Sequence, residues 1–302
     1  MVVCSFCGTS VFVDRHLVSA ADYRRSYERV LRTEHETISV AGRGYRLLGR
    51  IATGHSTDVL LAERVAALRG RVVVKVLRAD TDADLLAAES RVLQALASSS
   101  ALGASHFRRL VPEWVAGGDA DAGAGGPRPA IVTRWASGFV HTLEDVREQH
   151  GASLDLRHAI WIWRRLLEIL AWVHRSGFRH GALLPQHVLV HARDHGVRLV
   201  GFSLASELGV PARPVADPRY PSLQRGDADV AASARLVSWL LGAEDGLAVP
   251  DRVPESFATV LRREATHDGV PADPLALAKE VRDVADAIYG PPKFVPLTMA
   301  GW

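Results

Sequence analysis

Residues 71–93 read RVVVKVLRADTDADLLAAESRVL. Arg71 to Leu77 is a β-branched run preceded by Gly70, and it reads as a strand. From Asp84 to Ala97 the residues Leu85, Leu86, Val92, Leu93 and Leu96 recur at helical spacing, so a helix follows the strand. Lys75 is conspicuous within that strand. Of the 36 basic residues in the chain only three, Lys75, Lys279 and Lys293, are lysines, and the neighbours of Lys75 are apolar.

Working outward, Tyr45 to Ile51 and Asp58 to Ala62 read as strands joined by the turn Ala52-Thr53-Gly54-His55-Ser56-Thr57. Pro129 to Trp135 reads as another strand, preceded by a low-complexity loop over 117–127, GGDADAGAGGP. Residues 155–178 form the strongest helical pattern, with Ile160, Trp163, Leu167, Leu170 and Val173 on one buried face. Val188 to Val190 and Val197 to Val200 read as short strands around Arg193-Asp194-His195-Gly196. Residues 206–225 hold four prolines and read as irregular. Helices are expected over 228–241, 254–265 and 274–288, before a Pro-rich tail that is apolar enough to dock somewhere.

Composition excludes several classes. With 302 residues, 48% of them hydrophobic and seven tryptophans, the chain is not wholesale disordered. A net charge of +2 supplies no global basic excess for nucleic acid. No apolar stretch approaches the ~20 residues of a membrane span. The densest, 159–173, is interrupted by Arg164, Arg165 and Glu168. The N-terminus lacks the features of a secretory signal, so a cytoplasmic location is expected.

The two cysteines form one knuckle, Cys4-Ser5-Phe6-Cys7-Gly8. It is similar to the second half of a zinc ribbon, with Val2-Val3 entering and Val11-Phe12-Val13 leaving. Tetrahedral zinc needs four ligands, so the other half is expected upstream of residue 1 or on another molecule, with His16 a candidate third ligand. An inert pair and a redox motif are the competing readings.

The order of these elements resembles a protein kinase domain, from about Tyr45 to about Ile288. The resemblance implies an α+β, bilobal protein kinase-like fold: a small β-rich lobe over 43–135 with a C helix, and a mainly helical, trimmed lobe over 136–290. Around it stand the knuckle over 1–16, a linker or helix over 17–42 and the tail over 291–302. Lys75 matches the lysine of V-A-I-K, which reaches nucleotide phosphates, and Glu89 matches the helix glutamate that holds it. Gly54 keeps one glycine of the phosphate loop, whose other two places hold Ala52 and Thr57, and Val59 keeps the loop's valine. A plain hairpin turn is the alternative for that loop.

Downstream the positions match but the chemistry departs. In His180 to Val190 the catalytic aspartate falls on Ala182 and the metal-binding asparagine on His187. In Leu199 to Ala205 the metal-binding aspartate falls on Gly201, while Phe202 is kept. Mg²⁺ takes hard oxygen ligands, which neither glycine nor imidazole supplies. Asp229 looks like the family's buried aspartate that anchors the catalytic loop, with His180 packed beside it as a structural histidine. Tyr220-Pro221-Ser222 takes the place of A-P-E without its glutamate.

The expectation is a pseudokinase of the bacterial Ser/Thr kinase type, acting as a regulatory or protein-interaction module. It would bind ATP weakly and without Mg²⁺, and take zinc only if the other ribbon half is supplied. Protein partners are expected, with no nucleic acid and no membrane. One alternative is an active ATP-dependent Ser/Thr kinase or nucleotidyl transferase with acids relocated to Asp194 or Asp217. Another is a zinc-ribbon adaptor.

Overall fold

The computed structural model of the chain describes residues 2–3, 10–11, 36–54, 56–66, 70–121, 126–151, 154–210, 229–266 and 272–299. At the N-terminus β1 (Val2–Val3) and β2 (Ser10–Val11) pair antiparallel, Val2 opposite Val11. Cys4 and Cys7 between them, His16, Asp217, and Tyr220 to Ser222 lie outside the described residues.

Six strands then close a barrel: β3 (Thr37–Val40), β4 (Arg43–Thr53), β5 (Thr57–Arg64), β6 (Arg71–Leu77), β7 (Trp114–Asp121) and β8 (Arg128–Arg134). Their order is β3-β4-β5-β6-β8-β7, every neighbouring pair is antiparallel, and closure is made by Ser39 opposite Asp121 and Val40 opposite Ala120. Strand alternation sends Val72, Val74 and Val76 inward to meet Ile38, Val40, Tyr45 and Val132. Six strands leave a narrow lumen, and Ala62, Ala116, Ala120 and Ala130 supply the small side chains that let Tyr45 fit.

The low-complexity loop expected over 117–127 is in its first part a barrel strand. Small residues are what that wall requires: a Cβ on Gly117 would lie 2.4 Å from the Trp114 ring. β3 falls within the stretch read as a linker.

Seven helices pack around and below the barrel among the described residues: α1 (Ala83–Ser98), α2 (Ala104–Phe107), α3 (Leu143–His150), α4 (Leu156–Arg175), α5 (Asp229–Leu240), α6 (Glu255–Thr266) and α7 (Pro274–Tyr289). The short strands β9 (His141–Thr142), β11 (Val188–His191) and β12 (Gly196–Leu199) make one small sheet, and β10 (Phe178–Arg179) pairs with β13 (Ser206–Glu207). α4 buries two faces rather than the single one expected. Ala159, Ile160, Trp163 and Leu167 meet α5, α6 and α7, where Trp163 Nε1–H donates to Ser233 Oγ at 2.9 Å. Ile162, Leu166, Ile169 and Trp172 face the other way, toward the barrel side.

The bilobal kinase-like fold, with its small β-rich lobe and C helix, is therefore corrected. The described residues are mixed α/β, with a closed six-stranded antiparallel barrel and seven helices. Two physical causes are visible. The short strand β3 pairs with both β4 and β7, so no open sheet edge is left between them. The largest buried cluster also joins Leu77 and Ile131 of the barrel wall to Leu86 and Leu93 of α1, Leu170 and Val173 of α4, and Leu199. The barrel wall and the helices share that core, beside a cluster confined to the lumen and one confined to the helices.

Candidate functional site

The site begins with alternation on β6. Because Val74 and Val76 point into the barrel, Lys75 points out of it, toward α1. Val59 and Ile131 flank it in register. On α1 the buried face is Leu86, Glu89, Val92, Leu93 and Leu96, so Glu89 is carried inward with its apolar neighbours. Lys75 Nζ lies 2.6 Å from Glu89 Oε1, with the Lys75 side chain 18% and that of Glu89 2% exposed. Such a pair adds little net stability over apolar packing, but either partner alone would be a buried charge. It fixes the azimuth of α1 on the barrel wall.

Gly54 lies in the turn between β4 and β5. Its N–H donates to Thr57 O at 2.8 Å, and its carbonyl accepts from Arg78 Nη1 at 3.3 Å. The Arg78 N–H donates to Ser56 O at 2.9 Å. The turn is thus closed on itself and tied to the end of β6, which favours the plain hairpin reading.

Below the pair lies a second centre, built on Asp229 at the start of α5. The carboxylate is buried and accepts from His180 N–H at 2.8 Å and Gly181 N–H at 2.9 Å, with His174 Nε2 at 2.8 Å. Burial opposes its ionisation. The hydrogen bond and charge of His174, with those of His180, outweigh that, so the carboxyl sits below its ordinary value. His180 is wholly buried: Nε2–H donates to Val200 O at 2.9 Å, and Nδ1 accepts from Ala182 N–H at 3.3 Å. Burial holds this imidazole neutral, below its ordinary value, against the pull of Asp229. Its ring meets Phe202 edge-on at 4.6 Å. The resemblance implied roles for Asp229, His180 and Phe202. It implies none for His174, whose signal in the sequence is a histidine at the end of a long helix, six residues before His180.

Beside His180 stand Ala182, His187 and Gly201. Gly201 has φ 81° and ψ 50°, a left-handed conformation that favours glycine. A Cβ there would fall 2.5 Å from His187 Cδ2, so the imidazole fills the space in which a side chain at 201 would stand. His187 is held by its Nδ1–H, which donates to Ala182 O at 2.7 Å, and by its carbonyl, which accepts from Val200 N–H at 2.8 Å. Ala182 is itself buried. The three positions lock one another, and they carry no carboxylate or amide oxygen on a side chain. The donor set does not fit Mg²⁺, which requires hard oxygens.

Asp194 is engaged elsewhere, in the β11–β12 turn: its Oδ1 accepts from Arg193 Nε at 2.9 Å, and His191 Nε2 lies 3.3 Å from its Oδ2. Among the described residues no three His, Cys, Asp or Glu side chains converge as a metal cluster, and no helix is long and apolar enough to cross a membrane. No protein-family model matches the chain, and no curated protein matches it significantly.

Proposed function

We propose that this chain is a non-catalytic, pseudokinase-type module that acts in the cytoplasm by binding a protein partner. The reading rests on the residue pattern and not on the bilobal fold. One observation carries it: the His187 imidazole fills the space over Gly201, beside the buried Ala182. A phosphoryl-transfer centre needs a base near the substrate hydroxyl and oxygen ligands for its metal ions. An alanine, an imidazole already donating to a carbonyl and a glycine supply neither. What remains is Lys75, held by Glu89 and able to meet a phosphate through its ammonium. Weak nucleotide contact without Mg²⁺ follows from that remainder, and the closed hairpin at Gly54 limits it.

Incubation with γ-labelled ATP and a mixed Ser/Thr protein substrate tests the reading. No incorporation above that of Lys75→Ala is expected. Incorporation that vanishes in Lys75→Ala would overturn it. A thermal shift with ATP, of equal size with and without Mg²⁺, is expected for the nucleotide contact; absence of any shift removes that part alone.

A further inference from the structure

The tail beyond α7 has its own docking site. Gly290 turns the chain at φ 74°, and the prolines at 291 and 292 prevent α7 from continuing. Leu297 is buried in the largest core cluster and Met299 packs against it. Thr298 O lies 2.9 Å from both Gln149 Nε2 and His150 Nε2 on α3. Phe294 stacks on His195 with centroids 4.3 Å apart, and His195 stacks in turn on Trp161 of α4 at 4.4 Å and 6°. Trp161 Nε1–H donates to Nδ1 of His158, which is buried, at 3.2 Å. A continuous relay therefore runs His158–Trp161–His195–Phe294.

We propose that segment 291–299 is an acid-released clasp, held at neutral pH by this relay and let go when His158 and His195 take up protons. The geometry supplies the mechanism. His158 Nδ1 can accept from Trp161 only while it carries no proton. Protonation sets two donors against each other and removes the bond that holds the Trp161 platform. His195 Nε2 is a buried atom with no hydrogen-bond partner, and the Val295 backbone is the one group favouring a charge on that ring.

The surrounding charges do not compensate. Asp155 is taken by Arg157, and Asp194, beside His195, by Arg193. Arg165 on α4, paired with Glu168, opposes a charge on His195, and His150 on α3 opposes one on His158. Tyr289 lies under the Arg157 guanidinium, and Lys293 adjoins Phe294 as a further cation. Burial is the leading cause that lowers both imidazoles below their ordinary value, opposed for His158 by Asp155 and for His195 by the Val295 backbone. Groups so lowered keep the docked state favourable above the ordinary histidine value of about 6.5, and that preference is lost as pH falls through the folded value. Attraction of an imidazolium to the two rings works in the opposite sense.

Hydrogen exchange of the full-length chain, corrected for the intrinsic pH dependence of exchange, reads the clasp directly. Protection of residues 293–299 is expected to fall about tenfold between pH 7.5 and 5.5 while α4 stays protected. The double variant His158→Gln and His195→Asn should show the same protection at both pH values. Glutamine keeps an acceptor for Trp161, and asparagine suits the φ of 50° at position 195. Protection that is unchanged or higher at pH 5.5, or a drop that survives in the double variant, overturns the proposal. If that variant loses protection in α4 as well, ¹³C-histidine NMR of the unaltered chain decides. The His158 and His195 rings must titrate over the range in which the tail is released, and titration over a different range overturns it.

Discussion

Lys75 and Glu89 are each tolerable only because of the other. Lys75→Ala leaves a carboxylate that is 2% exposed without its cation, and a loss of about 3 kcal/mol in urea unfolding is expected. Lys75→Met with Glu89→Leu should recover most of it; a double variant no more stable than Lys75→Ala would contradict the pairing argument. Gly201 and His187 are coupled by shape. Gly201→Asp places a side chain into the imidazole at a left-handed φ, for an expected loss of about 3 kcal/mol. Adding His187→Asn should relieve the clash but not the backbone strain, so only part of the loss returns. His180 supplies a pH signature. Its folded pKa is lowered from 6.5, so its contribution is present above that value and is lost as pH falls through the folded one. The urea midpoint should fall between pH 8 and pH 5.5, with a shallower fall in His180→Leu. A flat midpoint in the native chain would show that this imidazole is not held neutral by burial.

At the scale of elements, β3 is short but decides the architecture. Four residues, Thr37 to Val40, pair with two neighbours and send Ile38 and Val40 into the lumen. Ile38→Ala should lower stability by about 3 kcal/mol, a value set by the cavity in a narrow barrel that collapses poorly. A change below about 1 kcal/mol in a urea titration would mean that closure contributes little. The α4 pattern was legible in its first face, Ile160, Trp163 and Leu167. The second face was hidden because the polar stripe of Arg157, Arg164, Arg165 and Glu168 is narrow, and the broad apolar surface that remains reads as one face. Segment 117–121 escaped for the opposite reason. Glycine, alanine and aspartate read as loop by propensity, whereas the wall beside Trp114 accepts only small residues there.

At the scale of the whole molecule, the shared core predicts cooperative unfolding. Leu77 and Ile131 sit in one buried cluster with the helices, so the barrel wall is coupled to them even though the lumen holds a cluster of its own. Far-UV and near-UV signals should trace one coincident urea transition. Two separated transitions would restore the picture of two lobes. The sequence by itself determined the local chemistry: the strand that carries Lys75, the helix that carries Glu89, the absence of acids at 182 and 201, and the histidine and aspartate near the loop. These follow from periodicity and residue type, which act over a few residues. Only the tertiary structure decided that the sheet closes through β3, that His187 fills the space over Gly201, and that the tail lies on His195 and α3. Each of these joins residues far apart in the chain through packing, and short-range pattern carries no information about which distant surface a side chain will meet.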